Sequence, residues 1–170
     1  MIISGRPRST ATAGFSLLEI LVVLVIIAIL ISFAAVTFDS EQEKLAEEGN
    51  RLAALMKLAA EEAIMNSREH RVVFTSDGYL FEKLVDGEWR GFEEGLYRRR
   101  VLPEDFSFHM TLANREIALD AGDGEAGNRT AVLFLSSGEV TPFELLIRGV
   151  SGLEITVGNR SGVIEVDHGR

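Results

Sequence analysis

The sequence predicts an α+β protein: one long N-terminal helix, its first half a membrane segment and its second half amphipathic, packed on antiparallel β-sheets. Three observations carry this reading. Residues 15–38 form an apolar run of 24 residues in which Glu19 is the only charge. Next, Leu45, Leu52, Leu55, Met56, Ala59 and Ala63 recur at helical spacing among Glu, Lys and Arg. From His70 onward, short alternating runs are separated by turn residues such as Asp86-Gly87 and Ser136-Ser137-Gly138. The chain thereby divides into a basic leader (1–14), an apolar helix (15–38), its amphipathic continuation (39–68) and a β-rich globular domain (69–170).

The apolar helix comes first. At 1.5 Å per residue, 24 residues rise about 36 Å, enough to cross a hydrocarbon core of roughly 30 Å. Glu19 is the anomaly, because a charge at the centre of a membrane helix costs roughly 2.5–3.5 kcal/mol and therefore usually has a partner or a task. Its position near the start of the run softens that cost. Scission after Gly14 would create an amino terminus at Phe15, four residues before Glu19, and groups at that spacing share one helix face. The amine of a neighbouring copy would serve equally well, making Glu19 an assembly contact. Two plainer readings compete. An ordinary signal peptide also has basic residues (Arg6, Arg8) before an apolar core, with Ser32-Phe33-Ala34 as its cleavage site, and would leave a chain beginning at Ala35. A simple signal anchor explains the hydrophobicity but not the string Gly-Phe-Ser-Leu-Leu-Glu from Gly14 to Glu19.

That string resembles the class III signal of type IV pilins and type II secretion pseudopilins. The resemblance implies that a prepilin peptidase cuts after Gly14 and N-methylates Phe15, and that Glu19 stands at the family's fifth mature position, where it acts in assembly.

Charge and composition set further bounds. The formal net charge is -9, and removing a leader that carries Arg6 and Arg8 leaves -11. Such a balance disfavours nucleic acid or anionic lipid as a surface partner, although Arg98-Arg99-Arg100 is a local basic patch. Without cysteine there is no disulfide, thiolate nucleophile or thiolate metal site. Arg6 and Arg8 precede the apolar helix, while Asp39, Glu41 and Glu43 follow it. The positive-inside rule then places the leader in the cytoplasm and the body outside, in the periplasm of a two-membrane bacterium.

Beyond Phe38 a hydrophilic collar, Asp39 to Lys44, opens the amphipathic half, which ends near Asn66-Ser67. Gly49 is expected to be a soft point, since Gly lowers helix propensity by about 1 kcal/mol relative to Ala. Strands are expected at Arg71–Thr75, Tyr79–Val85, Trp89–Phe92, Phe106–Leu112, briefly at Ile117 and Leu119, then at Thr130–Leu135, Glu139–Ile147, Leu153–Val157 and Val163–Val166. That makes eight or nine in all, with Pro142 at an edge or bulge because it cannot donate to a ladder. The acidic, Gly-rich stretch Asp120–Asn128 departs from the ligand spacing of an EF-hand and reads as a solvated loop.

Chemistry is sparse. The sequence has no Gly-x-Ser-x-Gly elbow, phosphate loop, His-Glu-x-x-His or Gly-x-Gly-x-x-Gly. His70, His109 and His168 stand apart and read as surface or satisfied structural residues. Glu61-Glu62 and Glu93-Glu94 read as solvated faces. No catalytic residue, metal or cofactor is expected.

The stretch from Leu133 to Phe143, Leu-Phe-Leu-Ser-Ser-Gly-Glu-Val-Thr-Pro-Phe, is similar to the Leu-Ser-Ser-Gly-Glu-x-x-Pro-Phe stretch of the GspH/FimT family. The helix end from Glu61 to Glu69 also looks like that family. The resemblance implies a pilin-like fold and a minor pseudopilin of the type II secretion system, not an enzyme. Such a subunit sits at or near the tip of a periplasmic pseudopilus that helps export folded proteins across the outer membrane. Its implied partners are the other minor pseudopilins, the major pseudopilin, the prepilin peptidase, the inner-membrane assembly platform and inner-membrane lipid, with no nucleic acid. A minor type IV pilin of the FimT/FimU kind is the rival within the class, and a soluble periplasmic binding domain the rival outside it.

Overall fold

A computed structural model describes residues 17–92, 95–120, 129–160 and 162–168, with the side chains of residues 32–39 and of Arg160 outside the description. Among the described residues it contains one helix and ten strands, and it divides into two compact units at Phe38/Asp39.

Helix α1 (Leu17–Met65) runs 49 residues through both units. It stops without a glycine: Ser67 takes a left-handed conformation (φ 47°), Arg68 N–H donates to the Ala63 carbonyl (3.0 Å) and Ser67 N–H to that of Ile64 (3.2 Å). This pair of bonds is a Schellman ending, satisfying carbonyls that the last turn would otherwise leave orphaned.

The first sheet holds β1 (His70–Thr75), β2 (Gly78–Val85), β3 (Glu88–Gly91), β4 (Arg100–Val101) and β7 (Thr130–Phe134), in the order β3-β2-β1-β7 with β4 also on β2. The second holds β5 (Phe106–Leu112), β6 (Arg115–Ile117), β8 (Phe143–Gly149), β9 (Glu154–Arg160) and β10 (Val163–His168), in the order β10-β9-β8-β5-β6. All pairings are antiparallel. The core lies between helix and sheets: Leu45, Leu52, Met56, Ala59 and Ala63 of α1 pack with Val72, Phe74, Tyr79, Phe81, Val132 and Phe134 of one sheet and Phe108, Met110, Leu145, Ile147, Ile155 and Val157 of the other. The apolar stripe of the helix is therefore core, as its spacing indicates.

Several elements differ from expectation for identifiable reasons. β4, two residues long, is too short to leave a periodic pattern. The strand expected from Glu139 begins at Phe143 instead, because Thr141 turns its side chain and backbone onto Leu133 and Pro142 interrupts the ladder, leaving only an isolated bridge from Val140 to Phe134. Strand β9 runs beyond its expected end at Val157, through Gly158 and Asn159. The β5–β6 turn is built on Ala113 and Asn114 at φ 47° and 64°, a conformation more often given to Gly.

Gly49 also has a packing role. A side-chain carbon there would come within 2.8 Å of Ile155 Cδ1, so the missing Cβ is what lets the helix approach β9. Close packing against β9 is a second reason for glycine here.

Candidate functional site

The N-terminal unit carries the residues singled out for anchoring and assembly. From Leu17 to Ile31 every side chain of α1 is exposed, and apart from Glu19 every one is apolar. A helix apolar all round has no solvated face to offer water, unlike the one-sided helix of a globular surface. Continuous apolar exposure of this extent marks a surface built to be covered. Among the described residues no helix is long and apolar enough to cross a membrane. The described side chains of the run span 15 residues, which rise only about 22 Å. Glu19 lies in the first described turn of α1. Gly14 and Phe15 lie outside the described residues, as do Glu93-Glu94 and residues 121–128 of the Asp120–Asn128 loop.

The second unit fixes the amphipathic half of α1 to the sheets through polar contacts that the sequence reading missed. Glu48, only 4% exposed, accepts from Arg100 Nη2 (2.9 Å) and from the Tyr79 hydroxyl (3.0 Å). Its position was legible: 45, 48, 52 and 56 share one helix face, so Glu48 is a charge on the apolar stripe. Burial, followed by the Glu48 carboxylate, pushes the Tyr79 phenol far up, so it stays a donor. Glu41 takes the Ser151 N–H (3.2 Å), and its carboxylate occupies the space a Cβ on Gly149 would need. On the outer face of the first sheet, buried Glu82 pairs with Arg71 and with Arg129 (3.0 Å), and the Arg71 guanidinium lies 4.3 Å from the centre of the Trp89 ring.

The Leu133–Phe143 stretch also has a structural reason. Gly138 (φ 91°) closes the turn with N–H to Leu135 O (2.9 Å) and faces Ile64, while Ser136 Oγ donates to Glu69 Oε1 (3.1 Å). Phe143 is buried in the core. The turn thus seals the C-terminal end of α1.

Arg98-Arg99-Arg100 does not form a joint basic patch: Arg99 pairs with Asp77 (3.3 Å) and Arg100 with Glu48, leaving Arg98 exposed. His109 and His168 are exposed. His70 is buried, but its Nδ1 meets no hydrogen-bond partner, so "satisfied" was the wrong expectation for it. Of the paired glutamates, Glu61 is exposed and Glu62 only half-buried, beside Tyr97. Among the described residues no three His, Asp or Glu side chains gather as a metal site. A surface cavity of about 420 Å³ is lined by Thr111, Asn114, Pro142, Phe143, Glu144 and Asn159.

Comparison with known proteins matches residues 48–166 to the model of the family "Type II transport protein GspH" and residues 10–35 to that of the prokaryotic N-terminal methylation motif. Type II secretion system protein H of Pseudomonas aeruginosa is 30% identical over 158 residues, covering 88% of this chain and 91% of that protein. Among solved structures, the minor pseudopilin EpsH from the type 2 secretion system of Vibrio cholerae aligns with a TM-score of 0.59 at 20% identity, covering 73% of this chain and 96% of that one. E. coli GspH aligns with a TM-score of 0.57 at 18% identity, covering 76% and 92%. At these identities the two structures speak for the fold: a helix on antiparallel sheets.

Proposed function

The chain belongs to the GspH family of type II transport proteins, and from that premise we propose that it is a minor pseudopilin, a structural subunit of a type II secretion pseudopilus. The observation that carries the reading is the exposed apolar sleeve of α1 with Glu19 in its first turn. In storage the sleeve sits in the inner membrane, with the leader cytoplasmic and the β-rich body periplasmic. On extraction it packs against the equivalent helices of neighbouring pseudopilins at or near the filament tip. Apolar side chains replace lipid, so the transfer leaves little apolar surface exposed to water. Prepilin peptidase removes residues 1–14 and methylates Phe15, and the Phe15 amine, in cis or from a neighbour, offsets the charge of Glu19. An assembly platform in the inner membrane drives the insertion.

Each step has its own test. Gly14→Ala is expected to leave the leader attached, seen by immunoblot as persistence of the larger precursor. Glu19→Ala is expected to be cleaved normally yet depleted from sheared filaments and unable to restore export in a deletion strain. Recovery of Glu19→Ala at wild-type levels would remove the assembly role from that carboxylate. Deleting the gene and scoring export against twitching tests the secretion assignment itself: lost twitching with intact export would assign the subunit to a type IV pilus instead.

A further inference from the structure

Among the described residues three buried side-chain polar atoms lack a hydrogen-bond partner, and two of them, on His70 and Tyr97, belong to one ring cluster. His70, on the inner face of β1, is 4% exposed and its Nδ1 meets no donor or acceptor. Its ring meets Phe92 edge-on (5.9 Å between centroids), Phe92 packs on Tyr97 (4.8 Å), and Tyr97 on Phe81 (5.0 Å). Tyr97 is 7% exposed, and its hydroxyl is likewise without a partner in hydrogen-bonding geometry, although Glu62 is near enough to push the phenol up after burial itself. Three residues on, Arg100 grips Glu48. Residues 95–101 therefore meet α1 at two places, through Tyr97 beside Glu62 and through Arg100 on Glu48.

We infer that residues 95–101 are a strap over α1 that loosens in acid because His70, beneath it, takes up a proton. The imidazole is tied to the Ala59 backbone of α1, so a second proton belongs on Nδ1, which has no acceptor. A buried donor without an acceptor, on a ring that has just become charged, strongly favours admitting water. The cover in its way is Phe92 and Tyr97. The charges facing the ring are Glu62 from α1, which favours the imidazolium, and Arg68 after α1 and Lys83 from β2, which oppose it; from β7 the opposing residue is uncharged Phe134. Burial outweighs them and holds the His70 pKa below its ordinary 6.5. With the closed value below the open one, the open state binds more protons. Closure is therefore fully favourable above about pH 6.5 and weakens as pH falls toward the lowered value, by up to about tenfold per pH unit.

Hydrogen exchange of the full processed chain in detergent micelles, corrected for intrinsic rates, tests this. Between pH 6.5 and 5.5 the amides of residues 99–102, including Leu102 N–H on the Asp77 carbonyl, are expected to lose several-fold to tenfold protection relative to Leu145 and Ile155 in the second sheet. His70→Phe, which keeps an aromatic ring but cannot titrate, is expected to flatten that dependence. A strap whose relative protection ignores pH, or a His70→Phe chain that retains the wild-type slope, overturns the proposal. Should the variant fail to fold, the imidazole resonance of His70 in the wild type decides: it must titrate below the ordinary 6.5, and titration at or above that value overturns the inference.

Discussion

Replacing Arg100 with methionine is expected to lower the stability of the β-rich body by about 3–5 kcal/mol, the usual cost of leaving one partner of a buried ion pair uncompensated. The two ends of this pair are not equivalent. The Glu48 side chain is 5% exposed, whereas that of Arg100 is 35% exposed. Removing the cation strands a carboxylate in the core beside the Tyr79 hydroxyl. Removing the anion leaves a guanidinium that water can reach. Glu48→Gln, which keeps an acceptor for Tyr79, is thus expected to cost much less, about 1–2 kcal/mol. Thermal unfolding followed by circular dichroism would show Arg100→Met melting on the order of 10 °C or more below wild type, with Glu48→Gln in between. Equal losses from the two variants would mean that burial does not set the cost of this pair.

That asymmetry also marks where sequence reasoning reached and where it stopped. Periodicity exposed the apolar stripe of α1 and most strands, because burial of one face imposes a period of 3.6 or 2 on the residues themselves. The apolar run of 24 residues with one carboxylate was equally plain, and its side chains from Leu17 to Ile31 are exposed. Features depending on contacts between distant residues were not. Arg100 looked like part of a surface patch because nothing local says that Glu48, 52 residues away, waits beneath it. Gly49 looked like a helix weakness because propensity is local, whereas the Ile155 side chain packed against it comes from β9. His70, at a helix-to-strand junction, carried no sign that Phe92 and Tyr97 would close over it. Only Glu48 left a usable trace, an acidic residue in register with the buried leucines.

The second large effect is expected from Gly78→Ala. A Cβ at Gly78 would overlap the carbonyl oxygen of Arg100, and that obstacle is backbone, unable to swing aside as a long side chain could. Strand β4 is held to β2 by the pairs Gly78↔Val101 and Tyr79↔Arg100, extended by Leu102 N–H to Asp77 O (2.8 Å). So short a strand has little to resist displacement, and its movement would carry the Arg100 guanidinium off Glu48. The expected loss is about 2–4 kcal/mol, overpacking combined with a disturbed hydrogen-bonded charge pair. Gly87→Ala is the control: its φ of 82° strains any side chain, but nothing lies within 4 Å, so it should cost only about 1–2 kcal/mol. Because both substitutions act on one contact, Gly78→Ala and Arg100→Met combined should cost at least about 1 kcal/mol less than their sum. Strict additivity in that double-mutant cycle would mean that β4 stays in place and the clash is relieved elsewhere, separating the fit of the strand from the grip of Arg100 on the helix.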